Sequence, residues 1–455
     1  MSSFLLVFLF LVFNGLIFST LATIDDEDSI RFELIHRHDS RQLSEATTHH
    51  EKIKELVHLD NHRVELIAKS IGKRKKKPKR AFSIIQGVTS GASIPLNSGA
   101  YTRTGQYFVS LQIGTPPQEF LLITDTGSDL LWTNCHYKCP VCEKKKMVNK
   151  HQRFFHADQS SSFDPIPCTC PYCQGLPFAY QYLDGTKAHG IFANETVTVT
   201  LASGKKAQLG NVVIGCTAKI EGPHHITADG VIGLGYSRSS FILQSKAMFG
   251  GVFSYCLVDH LSPRNVSSYL TLGHTNLRNL RSENMRVTEL VLDGKGEGYY
   301  MVNVDGISIG GDMLDIPQYV WKVKGEGGMV VDSGTSFTIL AEPAYVAVMS
   351  ALKPYLENMT QVAQPEPTFE FCFNSTGYHD SMVPKLRFHF EDGARFEPYV
   401  KSFVIDNAPE EKCIGLISTS WPGVSTLGNI MQQNYVWEFD TMNKNLGFAP
   451  STCVG

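Results

Sequence analysis

Two tetrapeptides carry the residues best suited to chemistry. Asp125-Thr126-Gly127-Ser128 and Asp332-Ser333-Gly334-Thr335 each set one carboxylate, one glycine and two hydroxyls in the same order. Each follows an apolar run, at 120–124 in the first case and 329–331 in the second. Such a strand delivers a carboxylate to a fixed place. Glycine permits a tight turn and close backbone approach, and the hydroxyls can hold the carboxylate by hydrogen bonds. One such tetrapeptide is ordinary turn chemistry. Two copies behind matched strands carry more, because two carboxylates brought together do not both ionise easily: one keeps a proton while the other stays anionic. A water between them can pass a proton to the anion as it attacks a peptide carbonyl, and the neutral acid can donate to the carbonyl oxygen. No metal, cofactor or covalent intermediate is needed, and the pair titrates as a unit.

The elements that must position this pair repeat along the chain. About a hundred residues after each tetrapeptide comes an apolar-glycine element, Val231-Ile232-Gly233-Leu234-Gly235 and then Thr426-Leu427-Gly428-Asn429. Two matched halves, each offering one carboxylate, imply two similar β lobes facing one cleft. Short β-branched and aromatic runs at 107–113, 120–124, 195–201, 212–214, 299–309 and 385–390, separated by Gly, Pro and Asp clusters, agree with a mainly β chain. The clearest helix of the body is at 343–356, where Pro354 is expected to kink or end it.

The 455 residues suit two or three compact units, and 42% apolar with 19% charged residues is a globular mixture. Ahead of the body, Ile53, Leu56, Val57, Val64, Ile67, Ala68 and Ile71 recur at helical spacing. The run Lys73 to Arg80 follows, with seven cations in eight residues, whereas the chain from Ala81 onward holds 27 Lys/Arg against 33 Asp/Glu. A helix, a basic hinge and a Gly/Ser-rich joint predict a propeptide whose basic run docks on the acidic body and leaves as carboxylates protonate. Nothing in the overall charge points to nucleic acid.

Residues 4–22 are continuously apolar, start almost at Met1 and end in small residues, so a signal peptide is expected over a membrane anchor. The domain reading is a signal peptide at 1–22, a propeptide at 23–90, an N-terminal lobe at 91–290 and a C-terminal lobe at 291–455. Eleven cysteines include C-x3-C-x2-C and C-x-C-x2-C clusters that, with His136 and His151, could be read as a zinc site. Export makes disulfides the stronger reading, with at least one thiol left over and no metal. Sequons at Asn194, Asn265, Asn358 and Asn374 suit the same secretory route, to the extracellular space or apoplast first and the vacuole second.

DTGSDLLW at 125–132 and DSGTSFT at 332–338 resemble the two active-site signatures of the pepsin family, and the likeness runs from about Gly105 to Cys453. It resembles most the plant nepenthesin-like, atypical branch. The features that carry this are YFVSLQIGTPPQ, the Cys-rich insertion after Trp132, FSYCL at 253–257, GISIGG at 306–311, GNIMQQNYVWEFD and NLGFAPSTC, with RFELIHRHDS at 31–40 similar to that branch's propeptide. The resemblance implies a bilobal pepsin-like fold and an aspartic endopeptidase made as a zymogen. It further implies action on proteins or peptides at acid pH, held in check by its own propeptide; a monomer with no stable membrane anchor after signal removal is expected, because no other window is apolar enough to span.

Residue by residue, the resemblance makes Asp125 and Asp332 the catalytic pair, braced by Thr126 and Ser333 across the lobes. Ser128 and Thr335 would hydrogen-bond the outer carboxylate oxygens, beside Gly127 and Gly334. Tyr182, with Asp184 and Gly185 in YLDGT, matches the flap over the substrate, and Trp132 would either pack behind it or serve the core. The implied disulfides are Cys135–Cys139, Cys142–Cys216, Cys256–Cys453 and Cys372–Cys413, leaving Cys168, Cys170 and Cys173 with one free thiol among them. Leu183 stands where many members have Gly, and Thr124 where an aliphatic residue is common.

Two rivals deserve a place. Gly306-Ile307-Ser308-Ile309-Gly310 is a literal G-x-S-x-G, but the residues after it cannot start the helix that a serine-hydrolase elbow requires. A catalytically inactive inhibitor or binding protein on the same fold is the other alternative, weighed against two intact aspartates.

Overall fold

The computed structural model describes helical residues between 51 and 67, the strand at 92–98, and residues 107–453 except 138–152, 169–174, 182–186, 202–203, 222–227, 260–267, 274–284, 294–297, 324–326 and 363–368.

The repeat in the sequence becomes a repeat in strand pairing. Gly230–Gly233 runs parallel to Gln118–Asp125, with Gly233 opposite Asp125, and antiparallel to Trp132–His136. In the C-terminal half Ser425–Leu427 runs parallel to Met329–Val331, with Leu427 opposite Val331, and antiparallel to Thr338–Ala341. Each aspartate thus ends a buried strand or follows it directly, clamped by the apolar-glycine strand alongside. These strands read as near-continuous apolar runs because both of their faces are covered.

A shared antiparallel layer joins the halves. Val252–Cys256 pairs with Ser268–Leu272 on one side and Tyr435–Asp440 on the other, and Tyr435–Asp440 pairs with Asn445–Pro450. Ala92–Ser98 extends the layer through Ser268–Leu272, and Arg286–Val291 through Asn445–Pro450. Its middle is aromatic: Phe253 stacks on Phe439 at 4.7 Å between centroids, and the Trp437 indole N–H donates to the Gln432 carbonyl. Trp437 is fully buried, so its one polar atom needs that partner. The result is a mainly β, bilobal molecule. The helix Glu342–Leu356 runs through Pro354 and ends two residues later; the proline has no N–H to give to the ladder there.

The disulfides correct part of the expectation. Cys256–Cys453 and Cys372–Cys413 are present, but Cys135 bonds Cys216, not Cys139, which also removes Cys142–Cys216. The cause is tertiary: Trp132–His136 lies parallel to Lys206–Glu221 with Thr133 opposite Cys216, and the two cysteine Cα atoms stand 5.0 Å apart. That spacing fits a disulfide. Cys168 is also disulfide-bonded, while Cys139, Cys142, Cys170 and Cys173 lie outside the described residues. Peptide mapping without reduction is expected to recover the Cys135 and Cys216 peptides joined; a Cys135–Cys139 peptide would overturn this pairing.

Cys372, Cys413 and Glu411 bring ligand-type atoms within 4.8 Å of one another, yet both sulfurs are committed to a disulfide. Of the sequons, Asn358 and Asn374 are exposed, Asn194 is half-buried in a strand paired on both edges, and Asn265 lies outside the described residues. No helix among the described residues is long and apolar enough to cross a membrane, and segment 1–22 is not among them.

Candidate active site

Asp125 and Asp332 meet where the two lobes touch. Thr126 N–H donates to Ser333 Oγ at 3.2 Å, and Ser333 N–H donates to Thr126 Oγ1 at 2.9 Å. These reciprocal bonds couple the loops across 207 residues of chain, so neither carboxylate can shift without the other. Within each loop the glycine amide turns onto its own aspartate: Gly127 N–H to Asp125 Oδ1 at 3.0 Å, and Gly334 N–H to Asp332 Oδ1 at 2.9 Å. Glycine is required here by close approach. A Cβ on Gly334 would collide with Asp125 Oδ1, and one on Gly127 would stand 3.0 Å from Asp332 Oδ1.

The outer hydroxyls differ. Thr335 Oγ1 donates to Asp332 Oδ2 at 2.6 Å. Ser128 Oγ, given the equivalent role by resemblance, is buried with no hydrogen-bond partner among the described residues. Asp125 Oδ1 is engaged by the Gly127 amide and by a cation.

That cation is Arg63, from the helix at 51–67. Its Nη2 donates to Asp125 Oδ1 at 2.5 Å and to Asp332 Oδ1 at 3.0 Å, while Nε donates to Asp332 Oδ2 at 2.7 Å. A single nitrogen therefore occupies the place between the two carboxylates. Burial disfavours the guanidinium charge, but Asp125 and Asp332 outweigh it and hold the Arg63 pKa above its ordinary value. Asp60, three residues earlier, accepts from Ser336 N–H and Phe337 N–H at 3.0 and 2.6 Å. The apolar face of the helix packs on the C-terminal lobe, with Ile53, Leu56, Val57 and Val64 in a cluster that includes Phe337, Ile339 and Ile430. Sequence periodicity located this helix but not its target; the expected docking element was the run at 73–80, which lies outside the described residues.

Other supports escaped the sequence reading. The Asn429 amide donates to the Ser333 carbonyl at 2.9 Å, and Gln432 Nε2 to the Leu427 carbonyl at 2.7 Å, so the GNIMQQN segment holds the second loop from behind. Tyr180 Oη accepts from Asp129 N–H at 3.1 Å and ties the strand Pro177–Gln181 to the first loop. Burial, then the Asp129 charge, raises the Tyr180 pKa, so this hydroxyl stays neutral. Tyr182, Asp184 and Gly185 lie outside the described residues. Trp132 is fully buried, clustered with Phe108, Ile123, Leu130 and Phe178.

Two β lobes that each bring one aspartate loop to a common junction define the pepsin-like acid-proteinase class. The family models described as xylanase inhibitor N-terminal and C-terminal match residues 107–274 and 299–450. Aspartic proteinase nepenthesin-2 of Nepenthes gracilis is 31% identical over 402 residues, covering 86% of each chain. Aspartyl protease family protein 2 of Arabidopsis thaliana is 30% identical over 379 residues, covering 80% of this chain and 74% of its own. In fold, the chain is similar to soybean basic 7S globulin, with a TM-score of 0.63 at 17% identity over 80% of this chain and 98% of that one. The chain belongs to the plant pepsin-like aspartic proteinase family.

Proposed function

We propose that this chain is an aspartic endopeptidase of the nepenthesin-like branch, exported through the segment at 1–22, made as a zymogen and active on proteins at acid pH. The observation that carries the reading is the pair of carboxylates coupled across the lobes, each with its own glycine amide and Asp332 with the Thr335 hydroxyl besides. In the processed enzyme a water takes the place of Arg63 Nη2 between Asp125 and Asp332. The anionic member of the pair removes its proton as it attacks the scissile carbonyl, and the neutral member donates to the developing oxyanion. Both then return to their starting state as the amine leaves with a proton.

Arg63 supports the zymogen half of the reading. With its nitrogen within hydrogen-bond distance of both carboxylates, a nucleophilic water has no place to stand. The propeptide is then a competitor for the site itself and not merely a charged cover. Export and an extracellular or vacuolar destination are tested by fractionating the tagged full-length chain.

Two other readings meet specific observations. The matching family models bear the name of an inhibitor, so a binding protein without catalysis is the alternative. Ser308 Oγ lies 2.8 Å from His389 Nε2, but Ser308 is mid-strand, paired with Met313 on one side and Arg387 on the other. Amides used in two ladders form no oxyanion hole. Processed protein is expected to cleave an unfolded protein substrate and to be stopped by a statine-type inhibitor. Block by serine or metal reagents alone would sink the proposal, and binding without cleavage would favour the inhibitor reading.

A further inference from the structure

We propose that Asp60 is the register anchor of the propeptide helix: its carboxylate clasps the Ser336 and Phe337 amides just past the second aspartate loop and thereby sets Arg63 between Asp125 and Asp332. This rests on the zymogen reading and adds a second contact that can be removed independently of Arg63.

The anchor follows from what the rest of the interface lacks. Apolar contacts are non-directional, and an aliphatic face can settle on Phe337, Ile339 and Ile430 in more than one rotation or axial position. Arg63 is long and flexible enough to reach the carboxylates from several of them. Asp60 is short, only 3% exposed, and makes contacts of 3.1 and 3.0 Å to Ser336 N and 2.6 Å to Phe337 N. Residues three apart share a helix face, so fixing Asp60 on two backbone amides fixes where Arg63 emerges. Removing the carboxylate leaves two amides beneath a docked helix without their acceptor, at a cost that opposes docking.

The anchor also couples docking to protons. Among the described residues, the charged groups facing Asp60 are Arg63 on its own helix and Asp332 on the opposing loop. Burial raises its pKa from 3.8 to about 7, against the Phe337 and Ser336 amides and Arg63, which lower it; Asp332 adds to the rise. A carboxyl whose pKa is raised on docking takes up a proton as the helix docks. Its contribution therefore grows as pH falls through 7 and levels off below the ordinary carboxylate value. Asp60 thus keeps the helix seated through mild acid.

The test uses the full-length chain and hydrogen exchange at helix 51–67, with protection corrected for the intrinsic rate at each pH. Wild-type protection is expected to rise about tenfold or more between pH 7.5 and 5. Asp60→Asn keeps an acceptor oxygen but cannot titrate, so it should stay docked and lose the rise. Asp60→Ala, with Arg63 intact, should lose about tenfold in protection at pH 5 while the melting temperature of the body holds. Wild-type protection in Asp60→Ala, or an unchanged pH rise in Asp60→Asn, overturns the anchor. If the uncleaved wild-type chain is already as active as the processed one, the zymogen reading fails, whatever Asp60 does.

Discussion

Replacing Asp125 by Asn in the processed protein is expected to lower kcat on an unfolded protein substrate by about 10^3-fold, or roughly 4 kcal/mol in the barrier. Asparagine keeps the oxygen that accepts the Gly127 amide at 3.0 Å, so the loop geometry has no reason to change. What disappears is the ability to take or hold a proton. A single carboxylate at Asp332 cannot serve as both base and acid to one bridging water. The melting temperature should move little, which separates lost chemistry from lost structure. Activity equal to wild type would place the chemistry elsewhere, and Ser308→Ala is the natural control because Ser308 has the only serine-to-histidine hydrogen bond among the described residues.

Arg63→Ala in the uncleaved chain should act in the opposite direction, raising activity about a hundredfold under conditions where the wild-type chain is latent. The guanidinium donates three hydrogen bonds to two carboxylates. Bonds to charged groups are worth roughly 1.5–3 kcal/mol each and are not additive, so a net loss of about 3 kcal/mol in docking is a fair scale. That corresponds to about two powers of ten in the open population. Arg63→Lys should fall between, because an ammonium is a point donor without the planar fork that spans both aspartates. The readout is titration with a statine-type inhibitor on chains whose intact N-terminus is verified. No gain in Arg63→Ala at any pH would mean that the cation is not what closes the site.

Much of the site was legible because its chemistry is local. Asp-Thr-Gly-Ser after an apolar strand is a strand-to-turn instruction contained in eight or nine residues, and its second copy implied a second lobe. The same holds for the presence of the apolar-glycine elements at 231–235 and 426–429, whereas their parallel pairing with the aspartate strands came from the tertiary structure. The helix at 51–67 was equally readable from its 3.6-residue period. The cysteine pairing was not. Cys135 and Cys139 are neighbours in sequence, but Cys216 is brought to Cys135 by a parallel ladder that spans 81 residues. Ser128 shows the limit of carrying a role across a repeat: identical chemistry in the two loops does not ensure identical partners.

By itself the sequence determined that two aspartates would stand at equivalent turns of two β lobes, because strand periodicity, turn glycines and hydroxyl spacing are all short-range properties. Only the tertiary structure decided what stands between them. Arg63 looked like one cation among many on a helix, ten residues before a far more conspicuous basic run. Its contact with Asp332 crosses 269 residues, and its selection depends on an apolar face, an Asp60 carboxylate and two backbone amides converging on one surface. Long-range convergence of that kind leaves no periodic trace in the chain, since each partner satisfies its own local pattern first.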